Sequence, residues 1–118
     1  MYLVGDRPRF VYGTMGGEGQ PQTQAALVTR LVDRGYGLQA AVEAPRWLLG
    51  RTWGDETRAL RVEARIGDGV PAALRSRGHD VNVIEEWSDL VGHVQAISVA
   101  DELTAASDPR ADGAAEAA

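Results

Sequence analysis

The segment Gly13-Thr14-Met15-Gly16-Gly17-Glu18-Gly19-Gln20-Pro21-Gln22-Thr23-Gln24 sets two adjacent glycines between an apolar run at residues 10–12 and a helix that Pro21 can open. Small residues at a strand end, close to a helix N-terminus, present consecutive backbone N–H groups where the helix dipole favours negative charge. Gly16 and Gly17 are therefore candidates for an oxyanion cradle, a pair of donors for the negative oxygen of a tetrahedral acyl intermediate. The residues alone equally fit a sharp turn without chemistry. Nucleotide phosphates fit less well. The segment lacks the Gly-Lys-Ser/Thr ending of a phosphate loop, and Gln22 stands where a dinucleotide fingerprint calls for a third small residue.

Other candidates for chemistry are less specific. His79 and His93 are too far apart for a local metal pair and neither lies in a His-Glu-x-x-His pattern, so no metal and no cofactor are expected. Glu85 and Glu86 are adjacent, which on a strand sends them to opposite faces, and surface charge is the expectation rather than a facing glycosidase pair. Ser107 and Asp108 beside Arg110 suggest a triad, but no histidine joins them by spacing, and a turn held by an Arg–Asp pair is expected. Arg46 can bind a carboxylate ligand bidentately or pair with Glu43 or Glu63, and the structural pair is expected.

The elements that must position these residues are punctuated clearly. Residues 2–4 and 10–12 read as short strands around a turn at Gly5-Asp6-Arg7-Pro8, a possible hairpin. From 21 to 34, Ala25, Leu27, Val28, Leu31 and Val32 recur at helical spacing before Gly35. Residues 38–44 form a second, alanine-rich helix stopped by Pro45, and residues 47–56 have no period and read as a loop. Leu60, Val62, Ala64 and Ile66 alternate with Arg61, Glu63 and Arg65, the two-residue period of a strand with one wet face. A short helix at 71–77 ends at Gly78, strands follow at 81–84 and 94–99, and Asp101-Glu102 separates the last of these from 103–107. The pattern is α+β with strands meeting in sequence order. Residues 1–113 read as one unit, and the alanine-rich tail at 114–118 is expected to fray.

Composition narrows the classes. The chain has 118 residues, 44% hydrophobic and 25% charged, enough for one modest core. A net charge of -5 without a basic block argues against a nucleic-acid surface. All 12 basic residues are arginine, which carries no functional conclusion. With no cysteine there is no disulfide, thiolate nucleophile or cysteine metal site. No apolar stretch approaches the roughly 20 residues that span a bilayer, and residues 1–9 do not read as a secretion signal, so neither membrane insertion nor export is expected and a cytoplasmic location is favoured.

Taken in order, the glycine pair, Ala44-Pro45-Arg46-Trp47, Leu60-Arg61-Val62-Glu63, Gly78-His79, Ala106-Ser107-Asp108-Pro109-Arg110 and Asp112-Gly113 resemble the C-terminal part of the small subunit in the gamma-glutamyltranspeptidase (gamma-glutamyltransferase) family. The resemblance covers nearly the whole chain. In that family a Gly-Ser-Pro-Gly-Gly segment supplies oxyanion-hole amides, which assigns Gly16 and Gly17 that catalytic role. Thr14 and Met15 depart from the pattern, and with Gln20-Pro21-Gln22-Thr23-Gln24 they are similar to the acylase and amidohydrolase branch rather than to enzymes selective for a gamma-glutamyl group.

The resemblance implies an N-terminal-nucleophile hydrolase with αββα layers, made as a precursor that cuts itself to expose a catalytic Thr. It places that Thr upstream of Met1, and the paired serines that hold a substrate carboxylate before the glycine segment, where this sequence has no match for them. The expected partners are then the large subunit and nucleophile-bearing segment of such an enzyme and, in the complete enzyme, a small amide or gamma-glutamyl substrate. The isolated chain is expected to be inactive, and to self-associate through strands left without neighbours. A reading from a different class is a stand-alone, non-catalytic remnant that acts as an oligomeric or binding module.

Overall fold

The computed structural model describes residues 1–52 and 56–116. Strands β1 (Tyr2–Val4) and β2 (Arg7–Met15) form the expected antiparallel hairpin, with β2 longer at both ends than its apolar run. Pro8 is tolerated in β2 because that end pairs with β1 alone. Beyond Gly16 a 3₁₀ turn, Gly17–Gly19, leads directly into α1 (Gln20–Val28), where Pro21 occupies the first turn, the position at which its missing N–H costs nothing. A π-helical turn, Thr29–Asp33, continues α1 to the expected end near Gly35. Helix α2 (Leu38–Glu43) stops before Pro45, and α3 (Gly69–Ser76) ends before Gly78. Among the described residues no helix is long and apolar enough to cross a membrane.

The strands form two sheets. β1, β2, β6 (His93–Val99) and β7 (Leu103–Ser107) make an antiparallel sheet in the order β1-β2-β6-β7. β3 (Trp47–Leu49), β4 (Leu60–Glu63) and β5 (Val81–Ile84) make a smaller one, β4 pairing antiparallel with β3 and parallel with β5. The architecture is α+β as expected, and the strands meet in sequence order except at one pairing. β2 pairs with β6, because β3, β4 and β5 close a sheet of their own around α3.

Two expected elements need correction. Residues 47–49, read as loop, are strand β3, whose alternation is compressed into the three residues before Gly50. Residues 53–55 of the same expected loop lie outside the described residues. The strand expected over 60–66 ends at Glu63, and Ala64–Ile66 is a 3₁₀ turn. Its charged positions do not face water: Arg61 is 8% exposed and Glu63 fully buried, because protein groups take the place of solvent around them. The two-residue period marked the strand correctly and its environment wrongly.

The main core fills the space between the four-stranded sheet and the helices. Leu27, Leu31, Leu38, Ala41 and Val42 pack onto Val94, Ala96 and Ala106, with Phe10 and Tyr12 against them. Alternation along the strands sends Val11, Met15 and Ile97 to the opposite face, where they are 38%, 45% and 41% exposed. Val11 pairs with Ile97 and Ile97 with Ala105, so that face carries a continuous, exposed apolar row, with Ala114, Ala115 and Glu116 of the tail beside it.

Candidate functional site

Gly16 and Gly17 form the corner between β2 and α1. Both have positive φ, 153° and 52°, a region L side chains rarely adopt. Gly16 is buried and Gly17 exposed, so the corner turns from the protein interior to its surface within one residue. The Gly16 carbonyl accepts the Gly19 N–H at 3.0 Å and the Thr52 hydroxyl at 3.4 Å. Behind the corner stands Gly92: a Cβ on Gly16 would come within 2.9 Å of the Gly92 Cα.

The first turn of α1 fastens this corner to its surroundings. Gln22 exchanges two hydrogen bonds with the Leu49 backbone, its Nε2 donating to the carbonyl at 3.0 Å and its Oε1 accepting the N–H at 2.8 Å, as a paired strand would. The buried Thr23 hydroxyl lies 3.2 Å from the Gly19 carbonyl and 3.0 Å from that of Val91, bridging the helix start to the turn before β6. Gln24 Nε2 donates to Thr14 Oγ1 at 3.1 Å. Gly19 is packed so closely that a Cβ there would meet Leu48 Cδ1 at 2.7 Å.

Beneath the corner lies a buried charge cluster at the C-terminal end of α2. Glu63 accepts hydrogen bonds from the N–H of Arg46 at 2.8 Å, the N–H of Ser88 at 3.2 Å, and Arg110 Nε and Nη2 at 2.6 and 2.5 Å. Asp108 pairs with Arg46 Nη2, with Arg110 Nη1 at 3.0 Å, and with the N–H of Val94 at 2.8 Å. The final carbonyls of α2, which have no partner within the helix, are taken by arginines. Arg30 Nη1 reaches those of Ala41 and Ala44, Arg46 and Arg110 both reach Val42, and Arg65 reaches Glu43. These cations also oppose the negative end of the helix dipole.

Burial lowers the Arg46 pKa from its ordinary value, although Asp108 opposes the shift. Burial also acts against the charged form of Arg110, but hydrogen bonds and charge from Glu63 and Asp108 outweigh it, and the pKa rises. Arg30 is lowered by burial first and by the charge of Arg110 second. Arg65 lies over the Trp87 ring, 3.3 Å from its centroid, and closes the cluster on its outer side.

The other residues singled out from sequence are distributed as follows. The Asp108–Arg110 turn is present, with the Arg110 N–H donating to Asp108 Oδ1 at 3.1 Å. Arg46 is in a structural pair, but with Asp108. Its link to Glu63 is through its backbone N–H, because its guanidinium extends toward β6 while the peptide lies along β4. His79 lines an apolar groove with Trp47, Leu60, Val62 and Leu74, whereas His93 opens β6 opposite Met15. Among the described residues no group of three His, Cys, Asp or Glu side chains is placed to hold a metal. Glu85 and Glu86 are both exposed. The residues that sequence reasoning passed over are Thr52 and Gly92, which touch the glycine corner from distant parts of the chain. A glycine before a strand and a threonine in a loop carry no local signal of that contact.

The family model for gamma-glutamyltranspeptidase matches residues 1–118. The chain is 48% identical over 117 residues to the glutathione hydrolase-like YwrD proenzyme of Bacillus subtilis, covering 98% of this chain and 22% of that protein. It is 50% identical over 107 residues to the oxamate amidohydrolase proenzyme of Klebsiella pneumoniae, covering 89% of this chain and 20% of that one. The chain thus spans about a fifth of the length of these two relatives. The cephalosporin acylase of Bacillus halodurans superposes on 92% of the chain with a TM-score of 0.80 and 30% identity, the match being 20% of that acylase. The gamma-glutamyltranspeptidase of Pseudomonas nitroreducens complexed with L-DON shares the fold over 99% of this chain and 59% of its own, with a TM-score of 0.81 and 24% identity. The helix-backed sheet therefore recurs in N-terminal-nucleophile hydrolase structures, and the chain belongs to the gamma-glutamyltranspeptidase family, on its acylase-like and amidohydrolase-like side.

Proposed function

We propose that this chain is the C-terminal portion of the small subunit of a Thr-nucleophile amidohydrolase or acyltransferase, and that Gly16 and Gly17 supply its oxyanion-hole amides. The observation that carries this reading is the positive-φ glycine corner at a strand end, walled by Gly92, in a chain of this family. In the complete enzyme the Thr hydroxyl attacks the amide carbonyl while the terminal amine takes its proton. The carbonyl oxygen becomes an oxyanion facing the two glycine N–H groups, the amine leaves, and water or an acceptor amine then releases the acyl group. The names of the two relatives point to hydrolysis of a small amide, glutathione in one and oxamate in the other, and the Thr14 and Met15 departure sides with the amidohydrolase.

The test joins this chain to the upstream part of the Bacillus subtilis relative, confirms self-cleavage and turnover, and replaces Gly17 and Gly19 separately with Ala. Gly17 has room, since a Cβ would stand 4.0 Å from Thr52 Oγ1, but its φ forces a side chain to distort the corner. Turnover is expected to fall about 10² to 10³-fold with little change in KM. Gly19→Ala instead crowds Leu48 and is expected to lower the melting temperature more than kcat. Equal losses of kcat at both positions, following the loss of stability, would show that the segment is only a fragile turn.

A further inference from the structure

A peptide unit is planar, so an N–H is aimed by whatever holds the carbonyl at the other end of the same plane. The Gly16 N–H shares its plane with the Met15 carbonyl, and the Gly17 N–H shares its plane with the Gly16 carbonyl. Both carbonyls are held by residues remote in sequence. A Cβ on Gly92 would stand 2.5 Å from the Met15 oxygen and 3.4 Å from Thr23 Oγ1, so only glycine lets that plane lie where it does. Gly92 is itself fixed. Its N–H donates to the Asp89 carbonyl at 2.9 Å, its carbonyl accepts Arg46 Nη1 at 2.5 Å, and its φ of 80° also calls for glycine. The Gly16 oxygen is held by the Gly19 N–H and by Thr52, whose side chain is buried.

We propose that Gly92 and Thr52 are positioning residues for the site, Gly92 setting the peptide plane that carries the Gly16 amide and Thr52 setting the plane that carries the Gly17 amide. The proposal rests on the oxyanion reading of Gly16 and Gly17 and adds how their direction is maintained. Neither residue touches the reacting atoms. Thr52 acts through one hydrogen bond to a carbonyl, and Gly92 acts by leaving room for one.

The experiment uses the same joined, self-cleaving enzyme with Thr52→Val, Thr52→Ser, Gly92→Ala and, as reference, Gly17→Ala. Thr52→Val keeps the shape of the side chain and removes the donor. It is expected to lower kcat about 5- to 20-fold, less than removal of an oxyanion donor itself, with KM within about two-fold. Thr52→Ser restores the donor and is expected to return kcat to within about three-fold of the parent. Gly92→Ala displaces the plane by a large fraction of an ångström and is expected to lower kcat about 10²-fold. A boronate that forms a tetrahedral adduct on the nucleophile reads the donors directly: its affinity is expected to fall with kcat, whereas that of an uncleaved substrate-like amide stays unchanged.

If Gly17→Ala lowers kcat while Thr52→Val leaves it at the parent value, or Thr52→Ser is as impaired as Thr52→Val, the positioning role is overturned and the oxyanion assignment stands. Boronate and amide affinities falling together with melting temperature would overturn it as well. If Gly17→Ala itself leaves kcat unchanged, the oxyanion reading fails, and the positioning role fails with it.

Discussion

The buried cluster around Glu63 gives a prediction whose size follows from its geometry. Glu63 is fully buried, and its two oxygens accept from two backbone N–H groups, from both edges of the Arg110 guanidinium and, at 3.4 Å, from Arg65 Nη2. Glu63→Gln keeps the volume but supplies only one acceptor oxygen. Whichever way the amide is turned, its NH₂ faces either the N–H of Arg46, Arg110 Nη2 and Arg65 Nη2 or the N–H of Ser88 and Arg110 Nε. At least two donors therefore lose their acceptor and meet another donor, and Arg110 loses half of its carboxylate partners. Removing one member of a buried ion pair destabilises by about 3–5 kcal/mol, and for a chain of this length that corresponds to a fall in melting temperature of about 10–20 °C. The assay is urea and thermal unfolding of the purified chain at fixed protein concentration, followed by circular dichroism. The double substitution Glu63→Met with Arg110→Met removes both charges and leaves the Arg46–Asp108 pair in place. It is expected to be more stable than Glu63→Gln by about 1 kcal/mol or more, because no uncompensated guanidinium stays buried. A loss below about 1 kcal/mol for Glu63→Gln, or a double variant less stable than the single one, would refute the reasoning that charge compensation holds this region together.

Two further outcomes follow from the open face and from the proposed division of labour. The apolar row of Val11, Ile97 and Ala105 is expected to drive self-association of the chain alone, and Ile97→Lys is expected to shift sedimentation toward monomer without loss of secondary structure; a compact monomer of the parent chain with little apolar-dye binding would contradict this. The purified chain by itself is expected to show no turnover of gamma-glutamyl anilide or simple acyl amides, since donors to an oxyanion do not replace a nucleophile and base; activity that survives rigorous repurification would overturn the assignment of the nucleophile to a segment outside residues 1–118.

Much of the framework was legible in the residues. The helix through Leu27 and Leu31, the hairpin around Gly5, the stop at Pro45 and strands β5 and β6 all follow from spacing and punctuation, which act between near neighbours and are written locally. The glycine corner could likewise be placed between a strand and a helix, because Gly16-Gly17 and Pro21 are informative within a few residues of one another.

Pairing and environment were decided only by the tertiary structure. That β2 joins β6 depends on which apolar faces meet across about eighty residues, and no local period encodes it. The charged positions of β4 read as solvated because alternation reports a change of face and not what covers each face; the partners that bury Glu63 come from Arg46, Ser88 and Arg110. Arg46 could be recognised as half of an ion pair, but its reach past Glu63 to Asp108 depends on where α2 sets the guanidinium. Thr52 and Gly92 are the clearest case. A hydroxyl and a missing Cβ acquire meaning only when folding brings them against the Met15 and Gly16 carbonyls, since a hydrogen bond and a van der Waals contact are set by distance in space and not along the chain.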